Sequence, residues 1–398
     1  MSFFAPVPLA PRDPILGVTE AFNADPRPDK VNLGVGVYLD ESGRIPVFAS
    51  VKTVKKALAT DLAPHSYLPI DGFAPYNAAV KELVFGPELA ASGRVATVQG
   101  LGGTGGLRIA AGVLAGIAPS AKVLVSDPSW ENHESLFSRA GFEVGHYPYY
   151  DPAGRRVDVE GMLACLRAAA PGTIILLHAC CHNPTGYELA AGDWDAVVAA
   201  CAEGGLVPFL DMAYQGFARS VAEDAEAVAK FAAAGLSFIV ATSCSKTFGL
   251  YGERVGAVSF AAAEADEAAR VLSQAKVVVR SIYSSPPSFG AKTVASVLAT
   301  PALRADWEAE LGSMRDRIKD MRAAFRTGLE QAGVPGDLSY ITHQTGMFSY
   351  SGLTPEQMRR LRADFGVYGL ESGRLCVAAL NPGNLSRVTE AVAAVIRN

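Results

Sequence analysis

The sequence predicts an α/β fold, with a mostly parallel sheet between helices and a smaller α+β unit beside it. Three observations carry that expectation. Short β-branched or apolar runs alternate with alanine-rich helical stretches, the order in which a βα chain builds a parallel sheet covered on both faces. Several of these runs are apolar on successive residues, as strands buried on both sides require. The polar residues that stand out fall where the runs end, and parallel sheets bind ligands at the carboxyl ends of their strands.

In chain order, strands are expected at 95–98, 122–126, 143–147, 174–178, 207–211, 238–242 and 254–260, with helices near 104–117, 131–140, 159–169, 193–203 and 223–234. After residue 260 the character changes. Residues 263–279 read as a helix, and Tyr283-Ser284-Ser285-Pro286-Pro287 stops it, because proline cannot continue a helical ladder. A long helical stretch at 302–331, with charged residues spaced along it, is suited to linking two domains. Residues 335–398 mix short strands at 347–350 and 375–378 with two helices.

A chain of 398 residues fits two domains, or one large domain with a smaller companion. A hydrophobic fraction of 49% against 19% charged supplies a sizeable core and argues against disorder. A net charge of −5 is the wrong sign for a nucleic-acid binder. The six cysteines form no CxxC pair, which fits a reducing compartment without a disulfide framework. The start, Met1-Ser2-Phe3-Phe4-Ala5-Pro6, lacks a basic segment, does not read as a signal peptide, and no apolar stretch is long enough to span a bilayer. The expected location is cytoplasmic.

The most informative stretch is Ser243-Cys244-Ser245-Lys246-Thr247-Phe248-Gly249-Leu250, followed by Arg254-Val255-Gly256. It follows the apolar run Phe238-Ile239-Val240. A lysine in a hydroxyl-rich turn, with an arginine eight positions on, suits an amine that becomes covalently bound to a carbonyl compound while hydroxyls and a guanidinium hold a phosphate. A surface lysine in an ordinary strand-to-loop turn would look similar. Gly100-Leu101-Gly102-Gly103-Thr104-Gly105-Gly106 precedes a helix and would let backbone N–H groups approach an anion. It also matches G-x-G-x-x-G at Gly100, Gly102 and Gly105, so a nicotinamide dehydrogenase is a rival, although about 95 residues precede the motif. Ser243 to Lys246 satisfies S-x-x-K, but the companions S-D-N and K-T-G are absent. His178, Cys180, Cys181 and His182 crowd one strand end, yet their spacing fits no tetrahedral metal set, and they read as thiols and a histidine packed beneath the site. Asn183-Pro184-Thr185-Gly186 can be a plain turn, Asp211 a helix cap and Trp130 a core aromatic. Four polar clusters at strand ends (Gly102 to Gly105, Asn183, Asp211 with Tyr214, and Ser243 to Lys246) are harder to dismiss together.

Together these segments resemble the class I pyridoxal-phosphate-dependent aminotransferases, closest to the aspartate and aromatic amino-acid subgroup. The resemblance runs from Asp13-Pro14-Ile15-Leu16, through Val31-Asn32-Leu33-Gly34-Val35-Gly36-Val37-Tyr38, to Ser372-Gly373-Arg374. It implies fold type I, with a large cofactor-binding domain at 46–310 and a small domain built from 1–45 and 311–398 that closes over the substrate. It implies pyridoxal 5′-phosphate as cofactor, no metal, and a homodimer with shared active sites. By the same resemblance Lys246 holds the cofactor as a Schiff base and moves the Cα proton. Asp211 pairs with the pyridine nitrogen, Tyr214 and Asn183 with the phenolic oxygen, and Trp130 stacks on the ring. Ser243, Ser245, Arg254, Gly103 and Thr104 hold the phosphate, and Tyr67 reaches the phosphate of the neighbouring subunit. Arg374 grips the α-carboxylate, with Gly36 close by and Asn183 assisting, and Arg280 meets a distal carboxylate from the partner subunit.

Members of this subgroup accept glutamate and 2-oxoglutarate and divide over the second substrate. Ser66-Tyr67-Leu68-Pro69 and the run from Tyr283 to Gly290 look like the aromatic branch. Leu39 and Ile45 stand where the aspartate branch tends to carry lysine and threonine, and Ser285 where it tends to carry asparagine. Removing polar groups lowers the desolvation cost of an aromatic ring, by a modest few kcal/mol at most, roughly 1–3. The expectation is a ping-pong aromatic amino-acid aminotransferase that also takes aspartate, with a primary aspartate aminotransferase as the alternative. A ligand-sensing regulator of the same fold would need an added basic domain, and none is visible.

Overall fold

β-Branched and apolar runs pair into one seven-stranded sheet. In chain order its strands are β1 (Val95–Leu101), β2 (Lys122–Asp127), β3 (Glu143–Pro148), β4 (Ile174–His178), β5 (Val207–Met212), β6 (Phe238–Ser243) and β7 (Val255–Ala261). Across the sheet the order is β1-β7-β6-β5-β4-β2-β3. All neighbours run parallel except β7, which is antiparallel to both β1 and β6. The inner strands are buried along their length, as in Phe209, Leu210, Val240 and Ala241, which matches their unbroken apolar runs. This computed structural model describes residues 2–10, 13 and 16–397, so Pro14 and Ile15 of the N-terminal segment quoted above lie outside the described residues.

The chain divides into two units. The larger holds residues 45–319 and 343–346, and the smaller holds 1–44, 320–342 and 347–398. One boundary thus falls inside the long helix Pro301–Gln331, between Lys319 and Asp320, and not at 310. In the larger unit the helix Gly102–Ile117 buries Leu107, Ala110, Ala111 and Leu114 in a core shared with Val98, Phe209 and Val258 of the sheet, and Ala275 and Val279 of the helix Ala265–Ile282 join it. In the smaller unit Val31–Asn32 pairs in parallel with Val367–Tyr368, and Phe348–Tyr350 pairs antiparallel with Arg374–Cys376. Its helix Pro355–Phe365 starts on a capping box between Thr354 and Gln357 and ends at left-handed Gly366, where the Arg27 guanidinium donates to the last carbonyls at Arg362 and Ala363.

Several expectations need correction. Arg254 is not the first strand residue. Its φ of 54° is left-handed, and it turns the chain so that its carbonyl accepts the Gly102 N–H at 3.0 Å before β7 begins. The strand expected at 375–378 is Arg374–Cys376, after which Val377–Ala379 winds into a 3-10 turn. The helices Leu16–Ala24, Ala49–Ala59, Ala74–Ala91 and Phe289–Ala299 have no counterpart in the sequence reading. In Ala74–Ala91 the reason is local: Gly86, with φ 73°, and Pro87 kink the helix and break its pattern. Among the described residues no helix is long and apolar enough to cross a membrane.

Candidate active site

Three parallel strands end side by side, and their register sets the site. His178 of β4 faces Asp211 of β5, and Asp211 faces Ala241 of β6. Beyond β6, Ser243 caps a one-turn helix, Cys244–Thr247, by accepting the Ser245 N–H at 3.2 Å. Lys246 lies on that turn, with Nζ 5.2 Å from the centre of the buried Tyr214 ring. The turn is backed by Trp307, whose indole N–H donates to the Thr247 carbonyl at 2.6 Å and whose ring stacks on Phe248 at 4.6 Å.

Asp211 is buried, and His133 Nε2 lies 2.9 Å from its Oδ2. Burial pushes its carboxyl up, but the hydrogen bond with His133 and the attraction of the Lys246 amine oppose this, and the carboxyl is held below the usual carboxylate range. His133 is itself bonded through Nδ1 to Ser129 and touched edge-on by Trp130. His178 lies against His133 and His182, and burial followed by repulsion from His133 brings it down to about 3, so it is neutral. The site therefore holds an ionised carboxylate on a buried base and an amine 5.2 Å above an aromatic ring.

The glycine segment ends β1 and opens the helix Gly102–Ile117. Gly102 has φ 68°, and a Cβ there would fall 2.5 Å from Arg254 Nη2. A Cβ on Gly256 would fall 2.4 Å from the Gly102 carbonyl carbon, and one on Gly103 would touch Ser243 at 3.2 Å. Arg254 Nη1 approaches Ser245 Oγ at 3.5 Å. Gly103, Thr104, Ser243, Ser245 and Arg254 thus meet at a helix N-terminus, an arrangement that can hold a phosphate. The dinucleotide alternative does not survive this topology: β1 is an edge strand beside an antiparallel neighbour, whereas that fold places its first strand centrally among parallel ones.

Asn183 is buried just beyond β4, and Trp130 follows β2. Tyr67 is 97% exposed, and Arg280 is exposed in the last turn of the helix Ala265–Ile282, so neither side chain is packed into its own protomer. In the smaller unit Arg374 is buried, donates to the Gly34 carbonyl at 2.7 Å and lies 4.2 Å over the Phe348 ring. Gly36 leaves no room for a side chain there, since a Cβ would meet Phe348 at 2.7 Å. The crowded histidine and thiols do not converge as one metal set. His182 has Ser126 and Thr185 on its two nitrogens and stacks on Tyr149 at 3.8 Å. A hydrogen bond with Cys181 lowers the Cys180 thiol, but burial leaves it at about 11. His133 is the site residue that sequence reasoning missed. Its signal is its place three residues after Trp130, in the segment that follows a strand end.

A family model described as aminotransferase class I and II matches residues 28–392. The chain is 54% identical to an aspartate aminotransferase of Pseudomonas aeruginosa over 398 residues, all of both chains. It is 47% identical to an aromatic-amino-acid aminotransferase of Escherichia coli over 389 residues, 96% of this chain and 98% of that one. A crystal structure of an aromatic-amino-acid aminotransferase from Burkholderia pseudomallei, covalently bound to pyridoxal phosphate, superposes with a TM-score of 0.97 at 56% identity over the whole of both chains.

Proposed function

The chain belongs to the class I and II aminotransferases, and on that premise we propose that it moves the α-amino group of aromatic amino acids, and of aspartate and glutamate, to 2-oxo acids such as 2-oxoglutarate. The cofactor is pyridoxal 5′-phosphate, and the residues fit it. The cradle around Gly102, Gly103, Gly256 and Arg254 is too tight for added side chains, the N-terminus of a long helix opens there, and a lysine stands near a buried, ionised carboxylate. When bound, the cofactor supplies an electron sink that allows a proton to leave Cα of the amino acid.

The chain's own residues do the rest. Lys246 provides the amine that anchors the cofactor's aldehyde and carries the proton at Cα. Asp211, kept ionised by His133, holds a proton on the ring nitrogen. Tyr214 and Asn183 take the phenolic oxygen, and Trp130 covers the ring. Ser243, Ser245, Arg254, Gly103 and Thr104 take the phosphate. Arg374 is proposed to take the α-carboxylate in a bidentate bond, beside Gly36. Tyr67 and Arg280 serve the partner's site in a homodimer, and their exposure in the protomer supports that assignment. The six free thiols suit a cytoplasmic location.

The aromatic preference rests on one observation. Ser285 Oγ donates to the Leu68 carbonyl at 2.8 Å, so its hydroxyl is already satisfied by backbone and is not left facing an apolar ring. The aspartate reading is favoured instead by the name of the Pseudomonas aeruginosa relative. A side-by-side assay with 2-oxoglutarate decides between them. Higher kcat/KM for phenylalanine and tyrosine than for aspartate supports the proposal, and aspartate far ahead overturns the preference while leaving the reaction class intact.

A further inference from the structure

Gln99 lies on β1, four residues before Gly103, and is fully buried. A polar side chain in that position must be satisfied internally, and it is satisfied by two separate segments. Its Oε1 accepts the Phe73 N–H at 3.0 Å, while its Nε2 donates to the Pro287 carbonyl at 2.7 Å. The backbone repeats the pattern. Gln99 N–H donates to the Asp71 carbonyl at 3.0 Å, and the Tyr283 hydroxyl donates to the Gln99 carbonyl at 2.9 Å. Gly72 between these contacts has φ 103°, and a Cβ there would lie 2.3 Å from Gln99 Cβ, so the 71–73 turn is closed directly onto the glutamine. Ser285 to Leu68 adds a tie between the two segments themselves.

Each segment is joined to an exposed side chain, although Ile70 and Tyr283 also pack against the core. One begins at Tyr67 and the other follows Arg280 and contains Ser285. We propose that Gln99 is a positioning residue for substrate choice, which locks the 67–73 and 280–287 segments to the strand that ends in the phosphate cradle, so that Arg280 meets a dicarboxylate in one geometry. The proposal rests on the substrate reading of Arg280 given above. It adds a buried determinant of selectivity that touches neither substrate nor cofactor. The titratable groups around it are Tyr283, Asp71 and Lys276, which pairs with Asp71 at 3.3 Å. Burial raises the Tyr283 hydroxyl to about 12, so it stays a donor through the working range.

Gln99→Met keeps the volume and removes both side-chain bonds. Losing two ordinary hydrogen bonds from a positioning role corresponds to roughly a tenfold rise in KM for aspartate and 2-oxoglutarate, with kcat for phenylalanine within about twofold and the visible absorbance of bound cofactor unchanged. Gln99→Glu keeps the acceptor for Phe73 and donates to Pro287 only while protonated. Burial raises the pKa of such a carboxyl. The ratio of aspartate to phenylalanine kcat/KM in this variant is therefore expected to approach that of the unsubstituted enzyme at the acid end and to fall as pH rises. Equal losses on both substrates, or a ratio that follows the pH course of the unsubstituted enzyme, overturns the proposal. If Gln99→Met does not fold, the Gln99→Glu series decides alone. Arg280→Ala is the control: an unaltered aspartate KM there removes the reading of Arg280, whereas a raised KM there with silent Gln99 variants removes only the role of Gln99.

Discussion

Burial alone pushes Asp211 toward its neutral form, and a neutral acid could not hold a proton on a ring nitrogen. The bond with His133 Nε2 at 2.9 Å and the attraction of the Lys246 amine oppose that tendency, and the carboxyl stays below its usual range. Because the folded-state pKa is depressed, the associated stability is present above the unfolded value of about 3.9 and is lost as pH falls through the folded one. Removing His133 leaves the desolvation unopposed. A hydrogen bond to a charged group is worth about 1.5–3 kcal/mol, so in His133→Ala the Asp211 pKa rises. The acid limb of the kcat/KM profile is expected to move to higher pH, and an unmoved limb would show that His133 does not control Asp211. The lysine, the aspartate and Arg254 stood out in the sequence because of their residue types near strand ends, whereas Arg280, in a helix, and Arg374, at the start of a strand, were assigned only through the family resemblance. His133 was not legible, since a histidine near a strand end reads equally well as packing, and its role appears only when β2 and β5 bring their ends together.

At the scale of elements, the amine sits on a helix of four residues, too short to hold itself by its own ladder. Its support comes from Trp307, on a helix about 60 residues away in sequence, through the bond to the Thr247 carbonyl and the stack on Phe248. Trp307→Ala removes both and opens a cavity in a fully buried position, so a loss of about 3–5 kcal/mol is expected. Trp307→Phe keeps most of the stack and is expected to lose about 1 kcal/mol, for the hydrogen bond. Thermal unfolding midpoints in that order test this, and equal midpoints for the two variants would remove the hydrogen bond from the account. The same contrast explains what was legible among the elements. Strands β1 and β4 to β7 announce themselves as apolar runs because each is buried along most of its length, the edge strand β3 is buried only at Tyr147, and the antiparallel direction of β7 needs three dimensions. The helices Ala49–Ala59 and Phe289–Ala299 are short, mix lysine or threonine with alanine, and are fixed by packing against each other rather than by a periodic signal. The ties of Gln99 to Phe73 and Pro287 span 26 and 188 residues, and no local pattern encodes them.

At the scale of the whole molecule, the larger unit contains every group proposed to touch the cofactor, yet two of its candidate residues, Tyr67 and Arg280, are exposed on the protomer that carries them. On the proposed reading of Arg280, a symmetric dimer would make each such exposed residue available to the other subunit's site. If the sites are shared, Lys246→Ala and Arg280→Ala damage different halves of the same site. Each homodimer is expected to be nearly inactive with aspartate and 2-oxoglutarate. In a mixed dimer one site inherits Lys246 from one protomer and Arg280 from the other and is intact, while the second site carries both lesions. Random reassociation of equal amounts makes half the dimers mixed, so about a quarter of all sites are expected to be restored. Activity that appears on mixing and rises toward that level supports shared sites. A mixture that stays at the average of its two parents, although exchange of subunits is demonstrated, would mean that each protomer supplies its own distal-carboxylate group and that Arg280 has been assigned to the wrong side of the interface.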